Sequence, residues 1–144
     1  MEYTKLVDIY PQWWIFWIEN EETIKLILLK MAPAVELLEK QGYHVTECIV
    51  NNGVHERDTG YESFEAKYHS FKDMASSLCD DFSKAKSELD GLWYTTLNFG
   101  EITVRLKNDS GTAVIHFERG RISFGIDQPD QMLKEKLLQR YRAE

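Results

Sequence analysis

Between residues 92 and 126 apolar and polar side chains alternate with a period of two, the pattern of strands that bury one face. Four short strands are predicted, at residues 92–98, 101–107, 112–118 and 121–126. They are separated by Phe99-Gly100, the polar run Asn108-Asp109-Ser110-Gly111, and Arg119-Gly120. If each break closes a hairpin, one face gathers Trp93, Thr95, Leu97, Ile102, Val104, Leu106, Ala113, Ile115, Phe117, Ile122, Phe124 and Ile126. Only Thr95 and Ala113 in that set are not large and apolar. The same register sets Glu118 opposite Arg121 on the other face, a favourable cross-strand pair. An antiparallel β-meander follows.

Elsewhere the period changes. Residues 6–18 read as a strand region broken at Pro11. Its run Trp13-Trp14-Ile15-Phe16-Trp17-Ile18 is apolar on both faces, which suits either a strand covered on each side or a surface patch for a partner. Glu19-Asn20-Glu21-Glu22 offers a cap and first-turn acids. Residues 23–41 then carry Ile24, Ile27, Leu28, Met31, Val35 and Leu38 at helical spacing. Pro33 inside that pattern either kinks the helix or breaks it in two. Gly42 ends the element, residues 43–50 read as a strand with Tyr43, Val45 and Cys48 or Ile49 inward, and Asn51-Asn52-Gly53 signals a turn.

Residues 54–61 are polar and read as a loop. A long helix is predicted over residues 62–90, with Phe64, Tyr68, Phe71, Ala75, Leu78, Phe82, Ala85 and Leu89 on one stripe and Gly91 at its end. Pro129 precedes a C-terminal helix bearing Met132, Leu133, Leu137, Leu138 and Tyr141, with Arg140 and Arg142 suitably placed near its end. The expected architecture is one α+β domain over residues 1–144. In it the long amphipathic helix and the N- and C-terminal helices pack against one face of the meander.

At 144 residues the chain can bury a core without metal or disulfide staples, and 43% hydrophobic with 28% charged residues is a globular composition. Cys48 and Cys79, far apart and without a CxxC, are either a disulfide or two thiols. The net charge of −7 argues against a nucleic-acid partner. The acidic excess lies within residues 1–91, a field that draws a basic partner or simply keeps the chain soluble. The N-terminus lacks a basic leader followed by an apolar core, and the Trp13–Ile18 run is far shorter than a membrane span, so a cytoplasmic protein without membrane contact is expected.

No HExxH, helical His pair, Walker loop, GxGxxG or GxSxG occurs, and no metal or cofactor is expected. His55 with Glu56 and Asp58 is a common loop composition before it is an oxygen-rich metal site. His116 is the better candidate. The meander register sets Thr103 on one side of it and Ser123 on the other, with Thr96 beyond Thr103 and Tyr94 beside Arg105 in the next row. That row suits an anionic or hydrogen-bonding ligand, or is an ordinary solvated sheet face.

The functional expectation is a small acidic protein-binding protein, such as an immunity or antitoxin-type inhibitor of a basic partner. Its contacts would come from Glu62, Glu65, Asp73, Asp80 and Asp81 on or near the long helix, Glu56 and Asp58 in the preceding loop, and Tyr61 as an aromatic anchor. The alternative is a ligand-binding protein or enzyme using Tyr94, Thr96, Thr103, Arg105, His116 and Ser123. A homodimer formed through the helix or the exposed sheet face is a third possibility.

Overall fold

The computed structural model describes residues 7–11, 21–56, 60–89, 95–118, 121–127 and 131–142. In chain order the elements are β1 (Val7–Pro11), α1 (Glu21–Lys40), β2 (His44–Glu56), β3 (Gly60–Tyr68), α2 (Phe71–Leu89), β4 (Thr95–Lys107), β5 (Thr112–Glu118), β6 (Arg121–Ile126) and α3 (Gln131–Arg142). The strands form one sheet in the order β1-β6-β5-β4-β2-β3, and every pairing is antiparallel. The α+β expectation holds, with β4, β5 and β6 as its meander. Residues 12–20, with the Trp13–Ile18 run, and residues 92–94 lie outside the described residues.

All three helices cover one face of the sheet. Their buried side chains join Cys48, Val50, Ile102, Val104, Leu106, Ala113, Ile115, Phe117, Ile122, Phe124 and Ile126 in one hydrophobic cluster. Every inward residue expected between 102 and 126 is therefore in the core. The α1 stripe of Ile24, Ile27, Leu28, Met31, Val35 and Leu38 is buried as its spacing required. Burial of each such side chain is worth about 1.5–3 kcal/mol.

Pro33 does not divide α1, which runs unbroken for 20 residues. The carbonyl that loses its amide partner to Pro33 belongs to Leu29, a residue 66% exposed, so water can serve it. The helix ends at Gly42, whose φ of 90° is the left-handed conformation that suits glycine. Gly42 N donates to Glu39 O at 3.0 Å and Tyr43 N to Leu38 O at 3.1 Å, the paired bonds of a Schellman cap. Tyr141 at the far end of the chain donates its hydroxyl to the Lys30 carbonyl and ties α3 to α1.

Three expectations are corrected. Phe99-Gly100 and Asn51-Asn52-Gly53 are not turns, because β4 and β2 run straight through them as partners. In that pairing Asn51 meets Glu101 and Asn52 meets Phe99, leaving Gly100 as the extra residue of a bulge. Residues 54–56 and 60–61 are strand rather than loop, and Glu56 pairs with Gly60 at the end of the β2–β3 hairpin. The long helix begins at Phe71, not at residue 62, since Gly60–Tyr68 is the edge strand β3. Ser70 caps α2 by accepting the Asp73 N–H at 3.0 Å. The buried face of α2 consequently carries Met74, Leu78 and Phe82, whereas Ala75 is exposed.

Cys48 and Cys79 are free thiols. The 108–111 break is a true turn, in which the Asn108 Oδ1 accepts from Ser110 N at 2.9 Å and Gly111 N at 2.8 Å.

Candidate functional site

The face of the sheet away from the helices is built in rows. One row crosses all six strands as Lys67, Ile49, Thr103, His116, Ser123 and Asp8. The next crosses them as Glu65, Asn51, Glu101, Glu118, Arg121 and Pro11. Alternation along β5 puts His116 and Glu118 on this same face, and the β4–β5 register sets Glu101 directly opposite Glu118. Two carboxylates and an imidazole thereby converge.

His116 is the centre of the cluster, with its side chain only 16% exposed. Its Nε2 lies 3.3 Å from Glu101 Oε2 and 3.3 Å from Glu118 Oε2. Its Nδ1 lies 3.0 Å from Thr103 Oγ1. Asn51 Nδ2 donates to Glu101 Oε1 at 3.2 Å, so the two oxygens of Glu101 have different partners. The carboxylates are more open, with side-chain exposures of 36% for Glu101 and 50% for Glu118. One ligand atom from each of Glu101, His116 and Glu118 lies within 4.8 Å of the others.

Ionised carboxylates only accept hydrogen bonds. A neutral imidazole protonated on Nε2 therefore offers one N–H to two acceptors while Thr103 donates to Nδ1. An imidazole with its proton on Nδ1 donates instead to Thr103 and presents the Nε2 lone pair to the space between the carboxylates. The sequence of hydroxyl, imidazole and carboxylate is also the order of groups in a nucleophilic triad. Thr103, however, sits on β4 with ladders to β2 and β5 on its two sides, so its neighbouring amides are committed to the sheet and cannot form an oxyanion site.

Of the residues expected near His116, the sheet brings together Thr103, His116 and Ser123, the last of these buried. Arg105 lies one row away and belongs to a different group. Its Nε is 3.7 Å from Glu47 Oε2, and Lys67 Nζ is 3.8 Å from Glu47 Oε1. Thr96 is not beside Thr103. It stands seven positions along the same strand, opposite His55, because the expected turn at Phe99-Gly100 does not exist. Tyr94 lies outside the described residues. Glu101, Glu118 and Asn51 are the members that the sequence reading missed.

Among the acidic residues expected to meet a partner, Asp73, Asp80 and Asp81 are exposed on α2. Asp81 accepts the Tyr68 hydroxyl at 2.7 Å. That bond and burial both push the Tyr68 phenol well above its usual range, burial more strongly. Tyr61 belongs to β3 rather than to a loop, Glu62 and Glu65 to β3 rather than to the helix, Glu56 ends β2, and Asp58 lies outside the described residues. His55 is likewise on β2 and not in a loop. No described helix is long and apolar enough to cross a membrane. Comparison with protein-family models, curated proteins and solved structures gave no match.

Proposed function

We propose that this chain is a small-ligand-binding protein whose site is the outer-face cluster around His116, and that its ligand is cationic. One observation carries the reading: Glu101 and Glu118 stand opposite each other with a single imidazole nitrogen 3.3 Å from each. Like charges directly opposed on neighbouring strands destabilise a sheet, on a scale of roughly 0.2–1 kcal/mol for such pairs. Asn51 and Thr103 orient the cluster, and Arg121, opposite Glu118 in the same row, sets one positive charge against the two carboxylates. A bound cation supplies the positive charge that is still lacking. An anion, the ligand the hydroxyl row alone would have suited, is repelled by both carboxylates.

The test follows the His116 ring nitrogens by NMR during addition of divalent metal ions, a polyamine, a quaternary ammonium and, as the opposite case, inorganic phosphate. Cations should move the His116 ring signals and raise the melting temperature, and phosphate should do neither. The reading fails if no cation moves the ring, or if the thermal response survives in His116→Ala.

A second reading, an immunity or antitoxin-type inhibitor of a basic protein, is supported by the exposure of Asp73, Asp80 and Asp81 on α2 and by the net charge of −7. Steered association of that kind slows steeply with salt. A stoichiometric partner captured from the source cell should bind more slowly at high salt, and charge reversal at Asp73 and Asp80 should lower its association rate. A partner indifferent to both changes contradicts it.

A further inference from the structure

We infer that the cation is a divalent first-row transition-metal ion, such as Zn²⁺, Co²⁺ or Ni²⁺, bound by His116 Nε2 and one carboxylate oxygen each from Glu101 and Glu118. This inference deepens the cation-binding reading and depends on it. The first ground is distance. With metal–ligand bonds of about 2.0–2.2 Å, two donors on one tetrahedral or octahedral ion stand roughly 2.8–3.6 Å apart. The two Nε2-to-carboxylate distances are both 3.3 Å before any ion is added. Two of the three donor pairs thus stand at coordination distance already, and the third, between carboxylates within 4.8 Å of each other, can close by rotation of the more exposed glutamate side chains.

The second ground is independent of the first and lies in the outer partners. A metal-ligating histidine characteristically donates its other ring N–H to an oxygen, and a ligating carboxylate is itself hydrogen-bonded. Thr103 Oγ1 stands 3.0 Å from Nδ1, the nitrogen the ion would not use. Asn51 Nδ2 holds Glu101 Oε1, the oxygen not turned toward His116. Two of the three ligands therefore have their remaining atom engaged from behind, which leaves Nε2 and Oε2 aimed at one point. A quaternary ammonium, having no N–H to donate, has no use for an imidazole lone pair; a protonated amine does, and spermidine in the experiment below tests that case.

The donor set selects among metals. Mg²⁺ and Ca²⁺ take oxygen donors, Ca²⁺ six to eight of them, whereas imidazole suits the later first-row ions. One neutral imidazole and two carboxylates balance a 2+ ion. Three protein ligands on a half-exposed face leave the remaining coordination positions to water or to a small molecule.

The experiment is a titration of the chelator-stripped full chain with Zn²⁺ against a chromophoric competitor. It is paired with Co²⁺ absorption spectra and with the same His116 ring signals in the presence of spermidine. One equivalent of Zn²⁺ should bind, and Co²⁺ should give the visible bands of a low-coordinate N/O site. Glu101→Gln or Glu118→Gln should weaken binding at least tenfold. Thr103→Val, which touches no metal, should weaken it by roughly 10–100-fold. Thr103→Ser, which restores the hydroxyl, should recover most of that loss.

Full-strength binding in both glutamine variants overturns the inference, as does an affinity for Mg²⁺ equal to that for Zn²⁺. If spermidine moves the His116 ring and metals do not, the metal is wrong and the cation site stands. If neither moves it, both readings fall. Circular dichroism of each variant separates lost binding from lost folding.

Discussion

Replacing Glu118 by glutamine separates a binding site from a structural ion bridge, because only a binding site changes the response to Zn²⁺. In chelating buffer the substitution removes a repulsion between carboxylates whose ligand atoms lie within 4.8 Å. At that separation two unit charges repel by about 1 kcal/mol in the dielectric of water. Against this stand the loss of the exposed cross-strand pair with Arg121, roughly 0.2–1 kcal/mol, and the loss of charge on one acceptor of the His116 N–H. That bond is long at 3.3 Å, is shared with Glu101 at the same distance, and sits on a half-exposed side chain. It belongs at the low end of the roughly 0.5–1.5 kcal/mol of a hydrogen bond, and the amide oxygen of the substituted glutamine can still accept it.

These contributions nearly cancel, so the metal-free variant should lie within about 1 kcal/mol of the natural protein. With Zn²⁺ present it should be clearly the less stable of the two. A ligand at a hundred times its dissociation constant adds about 2.7 kcal/mol, and each tenfold loss of affinity removes about 1.4 kcal/mol of that. Urea denaturation of both proteins, with chelator and with Zn²⁺, gives the four midpoints required. A variant more than about 1 kcal/mol less stable in chelator would make Glu118 a structural partner of His116 and Arg121. Equal Zn²⁺ shifts in the two proteins would remove it from the site.

Three further outcomes test the frame that holds the cluster. Leu78→Ala should cost about 2–5 kcal/mol, since Leu78 is 1% exposed between α2 and the sheet. Ala75→Lys, on the other side of the helix, should stay within about 0.5 kcal/mol, and the reverse order in urea midpoints would mean the helix face is misassigned. Ser70→Ala should cost about 1 kcal/mol through loss of the cap on Asp73, read from the same midpoints, and no change would deny the cap. Burial, assisted by Glu47 and Asp73, pushes the Cys48 thiol up to about 12. Between about pH 8.5, where the unfolded thiol ionises, and pH 12 only the unfolded state loses that proton, so stability should fall by roughly 1.4 kcal/mol per pH unit. Below that window Cys48 contributes nothing. Cys48→Ala should flatten the slope between pH 9 and 10, and an unchanged slope would show that the thiol is not the cause.

The sheet between residues 101 and 126 was legible because one buried face forces strict alternation, and a slip of one residue would expose it. The glycine signals failed for a definite reason. Gly53 and Gly100 sit near one another in the β2–β4 pairing, where the register shift takes up Gly100 as an extra residue, so what reads locally as two turns is one bulge. Residues 62–70 failed because the spacing of Phe64 and Tyr68 fits a helix and a strand equally. Ala66, partly buried with Tyr68, settles the period as two. The capping pattern Ser70-Phe71-Lys72-Asp73 marked the true helix start.

Most of the site was implicit in a register already drawn. Pairing Thr103 with His116 necessarily pairs Glu101 with Glu118, and alternation brings both to the His116 face. Glu101 was hidden by the turn assigned just before it, which made it a strand end rather than the middle of a 13-residue strand. Asn51 was hidden by the same error on the opposing strand. Asn51 reaches Glu101 only because β2 continues through it, which no local pattern in residues 51–53 reveals.

The most direct measurement is a crystal of the protein soaked in Zn²⁺, with diffraction recorded on both sides of the zinc absorption edge. The account expects one dominant anomalous peak on the outer face of the sheet, about 2.0–2.2 Å from His116 Nε2 and from one oxygen each of Glu101 and Glu118. A map with no peak there, or with zinc only on the exposed acids of α2, would contradict it.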